Sequence, residues 1–158
     1  MNPDSNKSVW PGLMHEAVIQ AGLAASALET PVGAVVVDAE SKTVLARAHN
    51  QCISLNDPTA HAEILALRQV GAKTGNYRVP GVIMVVTLEP CIMCLGAMIQ
   101  ARISGLVFGT RDPGAGAIVS RLDISELQWL NHKFWFMDGV LEDECAGLLK
   151  NFFLERRG

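Results

Sequence analysis

Apolar runs separated by turn-forming residues divide the chain into a regular series of elements. Met14 to Leu28 is rich in Ala, Leu and Ile, which predicts a helix ended by Pro31. Val32 to Val37 then reads as a buried strand, Asp38 to Lys42 as a turn and Thr43 to Ala48 as the hairpin partner. Residues 49–60 form a long loop that carries Asn50, Asn56, Asp57 and Pro58. A second helix is expected from Ala60 to Val70, with Ile64, Leu65 and Leu67 on its apolar side, before a connection from Gly71 to Gly81. The unbroken run Val82 to Thr87 suits a central strand covered on both faces. A third helix fits Cys91 to Arg102, then a fourth strand Leu106 to Phe108 and a glycine-rich loop Gly109 to Gly116. Beyond it, Ile124 to Leu130 reads as a short helix and Lys133 to Met137 as a fifth strand. Glu142 to Arg156 is a final helix, with charges that favour its dipole at both ends. This order predicts a three-layer α/β/α sandwich on a mixed five-stranded sheet. Residues 1–12, polar and carrying Pro3, Pro11 and Gly12, read as a flexible arm.

The 158 residues show no internal repeat and no linker, so residues 1–158 are expected to form one domain. The composition is 49% hydrophobic and 18% charged, below the usual charged fraction of roughly 25%, which points to a buried subunit interface. A net charge of −3 counts against a broadly basic nucleic-acid-binding surface, although a local patch remains compatible with it. There is no basic leader followed by an apolar run and no stretch of about 18 apolar residues. The expected location is therefore the cytoplasm, with no membrane span and with reduced cysteines. Cys52 and Cys145 could pair on counting alone, but nothing marks a secreted disulfide scaffold.

The chemistry concentrates in two short fragments, His61-Ala62-Glu63 and Pro90-Cys91-Ile92-Met93-Cys94. Each falls at the start of a predicted helix, where free amides and the dipole stabilise thiolates. Two cysteines three apart on a helical turn face the same way. One imidazole and two thiolates, His61, Cys91 and Cys94, give three ligands for tetrahedral Zn(2+), leaving the fourth position open for water. The remaining histidines, His15, His49 and His132, have no spacing that supplies a fourth ligand. Glu63, two residues past His61, can reach the same cavity as general acid/base without binding the metal. Taken singly, each fragment has an ordinary reading: CxxC as a redox or structural pair, Glu63 as a first-turn acid. Together they match the HxE…PCxxC pattern of zinc nucleobase deaminases.

Longer stretches extend the match: Thr30-Pro-Val-Gly-Ala-Val-Val-Val37, Asn56-Asp-Pro-Thr-Ala-His-Ala-Glu-Ile64, Asn76-Tyr-Arg78, Thr87-Leu-Glu-Pro-Cys-Ile-Met-Cys94, Gly96-Ala-Met98, Phe108-Gly-Thr-Arg-Asp112, Asp143-Glu-Cys-Ala146 and Phe152-Phe153. With these the chain, from Met14 to Arg157, resembles the bacterial-type tRNA-specific adenosine deaminases of the cytidine deaminase-like superfamily. The resemblance implies a homodimer with one Zn(2+) per subunit, converting adenosine to inosine at the wobble position of a tRNA anticodon loop. It also implies that Asn50 hydrogen-bonds the purine and that the Ala62 backbone amide meets the base edge. Val32 and Leu88 would lie near the flipped base, and Asp112 near the nucleotide backbone. The chain departs from the family pattern at Gln51 to Leu55, at Thr110, from Ile118 to Trp129 and in Phe134 to Phe136. The alternative function, suited to the acidic balance, is a free nucleobase or nucleoside deaminase acting on guanine, cytosine or cytidine. Arg156 and Arg157 read either as phosphate contacts or as caps of the last helix. Arg111 is expected to pair with Asp112. Trp129, Trp135, Phe152 and Phe153 are expected in the core or an interface rather than as stacking platforms.

Overall fold

The computed structural model describes residues 7–158. Strands β1 (Gly33–Asp38), β2 (Val44–His49), β3 (Val82–Leu88), β4 (Gly105–Thr110) and β5 (Trp135–Met137) form one sheet in the order β2-β1-β3-β4-β5. β1 is antiparallel to both β2 and β3, whereas β3, β4 and β5 run parallel. Four helices complete the predicted sandwich: α1 (Trp10–Ser26), α2 (Ala62–Thr74), α3 (Ile92–Ala101) and α4 (Glu142–Arg157).

Successive strand residues point to opposite faces, and both faces here are apolar. Ala34, Val36, Met84, Val86, Leu106 and Phe108 pack with residues of α2 and α3. Val35, Val37, Ile83, Val85 and Val107 pack instead with Trp10, Met14 and Ala17 of α1 and Cys145 of α4. At Gly33, α1 comes so close that a Cβ would lie 2.0 Å from the Ala17 carbonyl oxygen. Only glycine allows that contact between helix and strand.

The boundaries differ from the predicted ones where local chemistry decides them. α1 begins at Trp10, so residues 10–12 belong to the helix and not to the expected arm; residues 1–6 of that arm lie outside the described residues. Pro11 sits in the first turn, where a missing N–H costs nothing. Trp10 is buried against Trp135, with ring centroids 5.9 Å apart. The helix ends at Ser26, before left-handed Leu28, rather than at Pro31. α2 tolerates Gly71 and continues to Thr74, where Gly75 adopts the left-handed conformation and donates its N–H to the Gly71 carbonyl. The expected helix from Ile124 is a single 3-10 turn, Ile124–Glu126, held by Asp123 accepting from the Ser125 amide. No helix among the described residues is long and apolar enough to cross a membrane.

Candidate active site

The antiparallel β1–β3 and β1–β2 pairings bring the start of β1 and the ends of β2 and β3 to one end of the sheet. Two helices begin there, and both metal-ligand fragments lie at their N-termini. His61 is the residue preceding α2, Cys91 the residue preceding α3, and Cys94 lies in the first turn of α3. His61 Nδ1 is 3.7 Å from Cys91 Sγ and 3.5 Å from Cys94 Sγ. A tetrahedral zinc with bonds of about 2.05 Å to nitrogen and about 2.3 Å to sulfur sets N and S about 3.6 Å apart. The spacing of the three donors thus fits one zinc ion, and they form the metal-capable group among the described residues.

Protonation in this cluster is strongly biased. The hydrogen bond with Cys94, helped by His61, draws Cys91 into the thiolate range at about 3. The same contact with Cys91, together with burial, pushes Cys94 up, and the bond to Cys91 raises His61. A dication between the sulfurs would allow both to be thiolates at neutral pH. Glu63, on the first turn of α2, is 4% exposed, and burial pushes its carboxyl above the ordinary range. Its Oε2 is a buried polar atom without a hydrogen-bond partner. A carboxylate oxygen left this way in an apolar site costs stability and is poised for a ligand that supplies a proton.

These groups open into a cleft of about 280 Å³ lined by Val32, Asn50, His61, Glu63, Leu88 and Cys91, with Asp112 and Ala115 at one side. Asn50 is 8% exposed and its Oδ1 accepts from the Ala62 amide at 2.8 Å. That amide is one of the α2 N-terminal donors with no partner inside the helix. That donor is taken up by the Asn50 side chain in this structure. Asn50 keeps its Nδ2 group to present to a ligand.

The MafB19-like deaminase family matches residues 9–157. The chain is 43% identical over 145 residues to the tRNA-specific adenosine deaminase of Haemophilus influenzae, covering 92% of this chain and 83% of the relative. It is 39% identical over 144 residues to the protein of the same name from Bacillus subtilis, covering 91% and 88%. A solved structure from work on A-to-I editing by tRNA:A34 deaminases at the wobble position of transfer RNA aligns with a TM-score of 0.83 at 38% identity, covering 87% of this chain and 99% of the other. The chain belongs to the tRNA-specific adenosine deaminases. A guanine deaminase from Nitrosomonas europaea shares the fold, with a TM-score of 0.79 at 24% identity, covering 90% of this chain and 83% of the other.

Within this family member, two buried carboxylates that sequence reasoning left without a role flank the cleft. Glu29 accepts from the Ile53 and Ser54 amides and the Ser54 hydroxyl, and so ties down the loop after β2. Glu89 gathers the loop after β4. Burial alone would raise both carboxyls, but the converging donors win and hold them below the ordinary glutamate value. The available sequence signal was a charged residue at the end of an apolar run, because glutamate is rarely buried without partners.

One expectation changes. Arg111 bonds Asp138 at 2.7 Å rather than Asp112. Asp112 uses Oδ1 to cap its own turn, accepting from the Gly114 and Ala115 amides. Arg156 donates to the Leu28 carbonyl at 3.2 Å, just past the end of α1, and stacks 4.7 Å from the Phe152 ring centroid, so it ties α4 to the turn after α1 rather than capping its own helix. All four cysteines are free.

Proposed function

We propose that this chain is a single zinc-dependent deaminase domain that hydrolyses adenosine to inosine at the wobble position of a tRNA anticodon loop in the cytoplasm. The observation that carries the proposal is the buried, unpartnered Glu63 oxygen beside an open set of one imidazole and two thiols in one cleft. The curated relatives named for this activity support the choice of substrate. His61 Nδ1, Cys91 Sγ and Cys94 Sγ would hold one zinc ion, which would supply the Lewis acidity that brings the pKa of a water toward neutrality.

Glu63 takes the proton of the water that adds to C6 of adenine. It delivers that proton to the ring nitrogen N1, then carries the second proton from the new C6 hydroxyl to the departing amine, so adenosine and water leave as inosine and ammonia. Asn50 Nδ2 donates to a purine ring nitrogen, and the Ala62 amide holds the Asn50 side chain in place for it. Val32 and Leu88 supply apolar walls for the base, and Asp112 stands at the mouth beside the nucleotide backbone. Extruding a base from a single-stranded loop is cheap compared with extrusion from a duplex.

The outer face of α3 supports a homodimer. Depressions of about 570 and 540 Å³ border it, the first lined mainly by α2, and Ile92 and Trp129 are 64% and 79% exposed at the second. Exposed apolar surface of this kind marks an interaction site, and sedimentation of the protein at micromolar concentration should give twice the chain mass. The function itself is tested by incubating zinc-loaded protein with an anticodon stem-loop carrying adenosine, alongside free guanine, adenosine and cytidine. Inosine in the RNA alone is the expected result. Deamination of a free base or nucleoside with none in the RNA would overturn it.

A further inference from the structure

Glu89 is a buried carboxylate that the proposed chemistry leaves unused. It lies between the end of β3 and Cys91 and is 2% exposed. Its Oε1 accepts from the amides of Ile118, Val119 and Ser120 at 3.1, 2.8 and 2.9 Å. Its Oε2 accepts from the Asp112 amide at 2.9 Å and from the Ser120 hydroxyl. All these donors belong to residues 112–120, a segment with neither helix nor strand. Its shape therefore depends on what its backbone amides bond, and Glu89 takes four of them.

Two further features fit the same arrangement. The Ala117 amide donates to the Pro90 carbonyl at 2.8 Å, next to the metal-ligand helix. A Cβ on Gly116 would lie 2.3 Å from the Glu89 carboxyl carbon, so a side chain there would displace the carboxylate. Asp112 and Ala115, on the loop so gathered, line the cleft.

We infer that Glu89 is a positioning residue: it holds the 112–120 loop as one wall of the cleft and so sets the affinity for the nucleotide that carries the target base. This rests on the reading of the site as an RNA adenosine deaminase. Glu89 acts through the loop, while proton transfer and metal binding fall to other side chains. Loosening the loop should therefore weaken substrate binding more than turnover.

The test compares zinc-loaded wild type with Glu89→Gln, whose amide presents a donor where the loop amides need an acceptor. Kinetics on the adenosine stem-loop are measured with zinc content, melting temperature and amide exchange. KM should rise about tenfold, the equivalent of ~1.4 kcal/mol, with kcat within about threefold. Zinc should remain at one per chain, and faster exchange should be confined to residues 112–120. Ser120→Ala removes one donor and should raise KM about threefold. Unchanged KM in Glu89→Gln overturns the inference. A joint fall of kcat, zinc content and melting temperature does so too, since it marks a merely structural role. If Glu89→Gln yields no folded protein, Ser120→Ala decides, and wild-type KM there overturns the inference. Wild-type protein inactive on the stem-loop would refute the proposed function instead; unchanged loop exchange in Glu89→Gln would then refute the anchoring by itself.

Discussion

Asn50 gives two halves of one side chain two separable tasks. Its Oδ1 satisfies the Ala62 amide at the start of α2, and its Nδ2 is assigned to the base. Asn50→Ala deletes both, and leaves a buried N–H without a partner at a cost of ~1–3 kcal/mol. For a domain of this size a loss of about 2 kcal/mol lowers the melting temperature by roughly 4–8 °C. Asn50→Asp keeps an oxygen that accepts from Ala62 but turns the donor into an acceptor. It should melt close to wild type while losing the hydrogen bond to the base, about tenfold or more in kcat/KM. The added negative charge beside Glu63 acts in the same direction on turnover. Thermal unfolding of the zinc-loaded variants and kcat/KM on the adenosine stem-loop measure the two effects. Wild-type kcat/KM in Asn50→Asp would remove Nδ2 from recognition. An unchanged melting temperature in Asn50→Ala would show that the Ala62 bond contributes nothing.

Two further outcomes are expected. Glu29 has a folded-state pKa below its ordinary value of 4.5, so its contribution is fully present above that value and is lost as pH falls through the folded pKa. Denaturant unfolding from pH 6 to 3.5 should therefore show a steeper stability loss in wild type than in Glu29→Gln, and parallel curves would refute the assignment. Arg156→Ala should cost about 1 kcal/mol, because it loses the Leu28 carbonyl and the Phe152 ring face, and should leave the salt slope of RNA binding unchanged. A slope reduced by about one unit would place that guanidinium on a phosphate instead.

Features encoded by neighbouring residues were legible in the sequence. Apolar runs located all five strands, and the two ligand fragments announced themselves because each is a few residues long at a helix start. Their convergence follows from topology, since β1 pairs with both β2 and β3. Partners chosen by tertiary approach were not legible. Arg111 and Asp112 are adjacent in sequence, but the Arg111 guanidinium reaches Asp138, 27 positions away. Glu89 bonds amides 23 to 31 positions away, and a backbone amide leaves no trace in residue identity. The hydrogen bond between the Ala62 amide and Asn50 was not legible either, because the two lie 12 residues apart at opposite ends of a loop. From Ile118 to Trp129 the apolar residues lack a helical period backed by burial, and the segment settles into turns.

In the proposed chemistry Glu63 moves protons beside a metal that three side chains hold. The most direct measurement is zinc stoichiometry together with single-turnover deamination of the adenosine stem-loop by Glu63→Gln. The variant should hold one zinc per chain, as in wild type, with the rate lower by about 10²–10⁴. Full zinc content with a wild-type rate would contradict it.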